Sequence, residues 1–300
     1  MIAPGTAAVP VLGYGTNGFT DHTLSDTLDV LAGYGYGAVA LTLGHPHFDP
    51  FADDWESRAR ALRDDLSERG MRVVVETGAR YLLDKRVKHR PTLVDVDAAR
   101  RMTFLARAIE IAGVLGADCV SMWSGVTPEN VSEAEAWRLL VDRTADIVAL
   151  ATVRGVRLGF EPEPGMRVET VSDALALRAE LGNPEALGIT VDLGHCVAVE
   201  PGGVVEALHQ AGSLLVNVQV DDMMPGVHEH LELGTGQLDI DLAFRTLSEI
   251  GYTGVAAIEL PRDSHAAPRL AKESIARMRQ ALDTIRQDDA QRQQAPRRTA

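Results

Sequence analysis

The stretch GITVDLGH (188–195) sets the pattern by which the whole chain is read. An apolar run of strand length stops at Asp192, and a glycine and a histidine follow. Similar runs, most of them closed by a polar residue, recur in VPVLGYG (9–15), GAVALTL (37–43), MRVVVET (71–77), ADCVSMW (117–123), VRLGFEP (156–162), LLVNVQVD (214–221) and GVAAIEL (254–260). Runs rich in Val, Ile, Leu and Ala, without strict alternation, suit parallel strands buried on both faces.

Segments of helical periodicity separate the runs. In 97–116, Met102, Leu105, Ile109 and Ala112 share a face and Gly116 supplies a stop. In 133–155, Trp137, Leu140, Val141, Thr144 and Val148 do the same. SDALALRAELG (172–182) is expected to open on Ser172 as N-cap and to close on Gly182. Further helices are expected at 242–254 and 265–287. Strands alternating with helices predict an α/β fold, a single-domain (β/α)8 TIM barrel over residues 1–287. The polar end, DDAQRQQAPRRTA (288–300), predicts a disordered C-terminal tail. An open doubly wound sheet is disfavoured, because no GxGxxG follows a strand and no GxxxxGK[ST] occurs.

Composition narrows the function classes. Against 29 Lys and Arg stand 43 Asp and Glu in 300 residues, a net charge of −14 with histidine neutral. Nucleic-acid binding relies on cationic neutralisation, so this balance predicts no nucleic-acid partner. No apolar stretch approaches the ~20 residues of a spanning helix. The start lacks a charged n-region and an apolar h-region, so no signal peptide is read. Two cysteines make no disulfide framework. The expectation is a cytoplasmic protein that handles a small molecule away from membranes. Nothing marks an oligomer interface, and self-association is left open.

A TIM barrel carries its function at the C-terminal ends of its strands. Six of the nine histidines, His45, His47, His195, His228, His230 and His265, follow predicted strands. Glu161, Asp192 and Glu259 each close an apolar run. One such carboxylate would be read as a helix cap or an arginine partner. Three together would repel one another unless a cation lies between them. Hard oxygen ligands beside an imidazole or amide suit Mn²⁺, Mg²⁺ or Co²⁺, and Zn²⁺ is admissible. Gly194 would let the chain turn sharply, so that Asp192 and His195 both face the rim. His228 and His230 share a face if their segment is extended. His45 and His47, beside Phe48 and Phe51, read equally as a substrate wall or a packed loop, and Trp123 reads first as rim packing, with stacking on a ligand as the other reading. The basic run Arg80, Lys85, Arg86, Lys88 and Arg90 reads first as a solvated loop, with contact to an anionic substrate as the other reading.

These residues resemble the sugar phosphate isomerase/epimerase group of xylose isomerase-like barrels. The likeness runs from about residue 10 to 285. It rests on Glu161 in GFEPEPG, on Asp192 and His195 in VDLGHC, on VNVQVDD with the GxGxxD stretch from Gly234 to Asp239, and on Glu259 in AAIEL. The resemblance implies a divalent ion held by Glu161, Asp192, a strand-7 residue and Glu259. It implies that Glu161 and Glu259 act as acid and base, and that His195 binds substrate. The family's strand-7 pattern resembles HVKD, whereas this chain has Gln219-Val220-Asp221-Asp222. Gln219 therefore stands at the metal position usually held by histidine, and His228 or His230 is the alternative donor. The implied activity is metal-dependent isomerisation or epimerisation of a sugar, cyclitol or related keto-polyol by proton transfer through an enediolate. Dehydration on the same scaffold, metal-dependent nuclease or phosphodiesterase chemistry, and a non-catalytic binding barrel are the competing readings.

Overall fold

The computed structural model describes residues 8–294. In chain order the elements are β1 (Val11–Gly15), α1 (Leu24–Tyr34), β2 (Ala38–Thr42), α2 (Trp55–Glu68), β3 (Arg72–Glu76), α3 (Ala99–Leu115), β4 (Val120–Met122), α4 (Glu133–Arg154), β5 (Leu158–Phe160), α5 (Val171–Glu180), β6 (Leu187–Asp192), α6 (Leu193–Val199), α7 (Gly203–Ala211), β7 (Leu215–Val220), β8 (Asp222–Met224), β9 (Val227–Leu231), α8 (Ile240–Glu249), β10 (Val255–Ile258) and α9 (Ala267–Gln294). Strands β1 to β7 and β10 form a closed barrel in the order β1-β10-β7-β6-β5-β4-β3-β2, paired in parallel throughout. Each of the eight apolar runs read from the sequence overlaps one of these strands. The fold is a single-domain TIM barrel, with β8 and β9 added as an antiparallel hairpin at its mouth. No helix among the described residues is long and apolar enough to cross a membrane.

The helix stops follow backbone chemistry. Gly35, Gly116 and Gly155 end α1, α3 and α4 in the left-handed region, at φ of 83°, 66° and 65°. The start of α5 differs from the expected one. Its N-cap is Thr170, not Ser172: Thr170 Oγ1 accepts from the Asp173 amide at 3.2 Å, and Asp173 accepts from the Thr170 amide at 3.0 Å. That reciprocal box satisfies two amides at once, which Ser172 does not. Helix α9 runs to Gln294, beyond the expected boundary at 287. The rest of the expected tail, 295–300, lies outside the described residues.

Every second residue of a barrel strand points inward. Toward the N-terminal ends these residues are small and apolar. Ala38, Ala40, Val74, Cys119, Val216, Val255 and Ala257 form a cluster separate from the main core, which fills the space between barrel and helices. One inward step further along, Val74 gives way to Glu76, Cys119 to Ser121 and Ala257 to Glu259. Strands β6 and β7 shift register between Ile189 and Thr190. The extra residue, Val216, packs in the floor cluster, while Asn217 hydrogen-bonds Glu76 across the barrel and Gln219 lines its mouth. Such an irregularity re-aims side chains at the end of the barrel. Gly188 leaves room for it: a Cβ there would lie 2.4 Å from Val216 Cγ1 and 2.7 Å from the Leu214 carbonyl oxygen.

Candidate active site

The C-terminal strand ends open into a cavity of about 260 Å³, a size suited to one small molecule. Glu76, Glu161, Glu163, Gln219 and Glu259 line it, with His228 and His230 from the hairpin. Arg80, Lys88 and Arg262 also line it. Arg101, from α3, organises the loop that carries the first two. It is buried and donates to the carbonyls of Thr77, His89 and Pro91 at 3.0, 2.8 and 2.9 Å, with its guanidinium 4.5 Å from the Trp123 ring centroid.

The carboxylates are held by neutral donors. Glu259 Oε1 accepts from Asn17 Nδ2 at 2.8 Å, and Glu76 Oε1 accepts from Asn217 Nδ2 at 3.2 Å. Glu161 Oε2 accepts from Ser121 Oγ at 3.0 Å, and its other oxygen lies 3.9 Å from His195 Nδ1. Among the described residues, no lysine or arginine forms an ion pair with Glu76, Glu161 or Glu259. The consequence is electrostatic. Burial first, with neighbouring carboxylates adding, lifts Glu76 and Glu259 to about 7 and Glu163 to about 8. The same causes push Glu161 and Asp221 well above the usual carboxylate range. Asp192 is the exception. Burial pushes it up too, but His195, His230 and the His195 amide together bring it below its ordinary value. Burial holds His195 down, at about 4.

Asp192 ends β6 and caps α6, accepting from the His195 amide at 2.8 Å through Oδ1. The sharp turn expected at Gly194 is absent, because the chain passes straight into α6 and Gly194 does not adopt positive φ. Its missing side chain serves another purpose. The Gly194 amide donates to Asp221 Oδ1 at 3.1 Å, and a Cβ there would lie 2.1 Å from that oxygen. The next residue, Asp222, accepts from the amides of Gly234 and Leu238 at 2.9 and 2.8 Å, which ties down the GxGxxD loop. The segment before Gly234 is extended, as the β8–β9 hairpin. It sets His228 and His230 beside His195, with ring centroids 4.8 and 5.6 Å from that imidazole.

The donor chemistry fits a divalent ion. Asp192 Oδ2, His195 Nε2 and Gln219 Oε1 are buried without a hydrogen-bond partner in the protein, an arrangement that costs stability unless something binds there, and Asp221 Oδ2 and His230 Nδ1 lie in contact beside them. Three groups of ligand atoms lie within 4.8 Å of one another: Asp192, Asp221 and His230; Glu161, Asp192 and His195; and His195, His228 and His230. Glu259 belongs to none of them.

The structure thus gathers Glu161, Glu259, Gln219, Trp123, His228 and His230 around one cavity, while Asp192 and His195 line a small neighbouring pocket, His195 lying 3.9 Å from Glu161. It does not bring His45 and His47 there. His45 is exposed, 3.9 Å from Asp49, and lines a separate surface pocket with Lys85 and Arg86. His47 is buried with Nε2 3.2 Å and 3.1 Å from the carbonyl oxygens of Phe19 and His22, so its ring nitrogen ties two backbone segments together. Trp123 packs against Arg101 and His89 as well as lining the cavity. The sequence-derived site omits Glu76, Glu163, Asn17, Asn217 and Asp221. The period-two step from Val74 to Glu76 was the signal for the first. Nothing local marked the two asparagines, which matter only across the barrel.

Residues 28–281 match the family described as the xylose isomerase-like TIM barrel, and the chain belongs to that family. Among curated relatives, the 2-oxo-tetronate isomerase of Cupriavidus necator is 25% identical over 241 residues, covering 79% of this chain and 86% of that one. The L-ribulose-5-phosphate 3-epimerase UlaE of Escherichia coli is 28% identical over 229 residues, covering 74% and 80%. A solved structure of an L-ribulose 3-epimerase superposes with a TM-score of 0.77 at 19% identity, covering 97% of this chain and 100% of that one. Relatives named as isomerases and epimerases are thus among the proteins this chain resembles.

Proposed function

We propose that the chain is a metal-dependent isomerase or epimerase of a small sugar or related keto-polyol, working by proton transfer beside a carbonyl through an enediolate. One observation carries this reading. Glu161 and Glu259 are held at two strand ends of one cavity by neutral donors, with no ion pair to lysine or arginine among the described residues, and burial raises the pKa of both, that of Glu259 to about 7. A general acid or base works best when its pKa lies near the working pH.

The two glutamates take different roles. Glu259, at about 7, is ionised in a large fraction of molecules near neutrality, and Asn17 occupies only one of its oxygens. It serves as the base that removes the proton from carbon. Glu161, whose pKa burial and acidic neighbours raise, is the second proton-transfer group, the one that returns a proton. Delivery to the adjacent carbon isomerises the substrate, and delivery to the opposite face of the same carbon epimerises it. Glu161 and Asp192, with Gln219 and Glu259 completing the set implied by the resemblance, would hold a divalent ion, which would supply positive charge to offset the negative charge that develops on the substrate. Arg80, Lys88 and Arg262 offer a cationic wall to an acidic or phosphorylated end of the substrate.

The test is solvent deuterium incorporation into ketopentoses and ketohexoses, free and phosphorylated, by metal-supplemented enzyme. Wild type is expected to label carbon next to the carbonyl. Glu259→Gln is expected to slow labelling by about 10²–10⁴-fold, the usual contribution of a positioned acid or base. No labelling of any ketose by wild type, or equal labelling by the variant, contradicts the proposal.

A further inference from the structure

Three side chains beside the cavity each have one polar atom engaged by the backbone. Asp192 engages Oδ1 with the His195 amide, Asp221 engages Oδ1 with the Gly194 amide, and His195 engages Nδ1 with the Pro162 carbonyl at 3.2 Å. That last contact makes Nδ1 the protonated nitrogen and leaves Nε2 a lone pair. Asp192 Oδ2 and His195 Nε2 are buried without a hydrogen-bond partner, while Asp221 Oδ2 and His230 Nδ1, equally buried, face each other. Asp192 and Asp221 are 1% and 0% exposed. His230 Nδ1 touches Asp221 Oδ2 directly. Carboxylate oxygens are acceptors only, so facing Asp192 and Asp221 oxygens require either a shared proton or a cation.

Strand β7 offers an amide, Gln219, where the family resemblance expects an imidazole. The hairpin after it carries two histidines over the same spot. We propose that Asp192, Asp221 and His230 seat a divalent transition-metal ion in this chain, with His195 or His228 as a further imidazole ligand, so that the hairpin supplies the nitrogen donor strand β7 lacks. The inference rests on the reading of the mouth as a metal-dependent site, and it changes both which residues bind the ion and which ions are preferred. The set of Glu161, Asp192, Gln219 and Glu259 contains only oxygen donors, which suit Mg²⁺ or Mn²⁺. A set with one or two imidazoles suits Zn²⁺ or Co²⁺. The glycine at 194 belongs to this seat, since any side chain there would displace the Asp221 carboxylate.

The experiment is X-ray absorption at the metal edge of wild-type protein loaded with one equivalent of Zn²⁺, together with Co²⁺ titrations followed by visible absorption. Imidazole scattering from at least one ring is expected in the wild type. His230→Gln is expected to weaken Co²⁺ binding about 10–100-fold and to change the cobalt spectrum. An oxygen-only shell, or a His230→Gln variant that binds Co²⁺ with the wild-type affinity and spectrum, overturns the inference. The wild-type absorption result does not depend on any variant folding. Failure here leaves deuterium labelling by Glu161 and Glu259 intact, whereas an imidazole-bound ion without labelling of any ketose defeats the functional reading alone.

Discussion

The two ends of this barrel are built on the same strands by the same two-residue alternation, yet their interiors obey opposite rules. At the N-terminal end the inward positions are small and apolar, and the charges nearby are paired, as Arg72 is with Asp118 at 2.7 Å. At the C-terminal end the inward positions are carboxylates, amides and imidazoles, several of them without partners. The C-terminal end gathers buried carboxylates with no ion pair to lysine or arginine among the described residues, which a fold optimised only for stability would avoid. The difference teaches where to look for chemistry: the end that gathers such carboxylates is the end that binds something.

Four outcomes would sharpen or break this contrast. The largest lies at the mouth. Glu259→Gln should cost about 10²–10⁴-fold in proton transfer and leave the thermal midpoint within a few degrees of wild type, because an isosteric amide keeps its shape. The next lies at the floor, where the sign is reversed. Gly188→Ala should destabilise by about 1–3 kcal/mol through overpacking against Val216 and the Leu214 carbonyl, read by denaturant unfolding, with the proton-transfer rate of the folded fraction little changed. Asn217→Leu spans both ends. It removes the neutral donor from buried Glu76 and should cost about 1–3 kcal/mol. The smallest effect tests a helix start far from either end: Thr170→Ala should cost about 1 kcal/mol and Ser172→Ala almost nothing.

The legibility of the molecule in its sequence follows the same division. The eight barrel strands were readable because a strand buried on both faces is a continuous apolar run, and Glu161, Asp192 and Glu259 were readable because each interrupts such a run. The β8–β9 hairpin was not, since its strands are short, polar and partly exposed (DMM and VHEHL) and carry no apolar alternation. Glu76 ends a strand as plainly as Glu259, but a single carboxylate looks the same whether it caps a helix or faces a cavity. His45 and His47 follow a strand as His195 does. They fall away from the mouth because the loop after β2 folds outward and His47 is taken up by two carbonyls. The role of Gly194 was misread for a related reason: the group that needs its space, Asp221, arrives from another strand.

The central claim is that the mouth is an acidic site awaiting a divalent ion, and its pH dependence tests this most directly. Glu76, Glu259 and Glu163 have pKa values raised from 4.5 to about 7, 7 and 8, so the native state keeps protons that the unfolded state has lost. Stability of the metal-free protein must then fall as pH rises through these values. Below 6.5 the depressed His195 contributes the opposite slope, because there the unfolded chain binds the proton instead. The clean window is therefore pH 6.5 to 8. The measurement is denaturant unfolding across that window, with chelator and with saturating Co²⁺ or Zn²⁺. The account predicts that the chelated protein loses on the order of 1–3 kcal/mol over this range and that the gain from the ion widens with pH as protons cease to compete. A chelated protein whose stability is flat or rising from pH 6.5 to 8, or one that gains nothing from either ion, would contradict it.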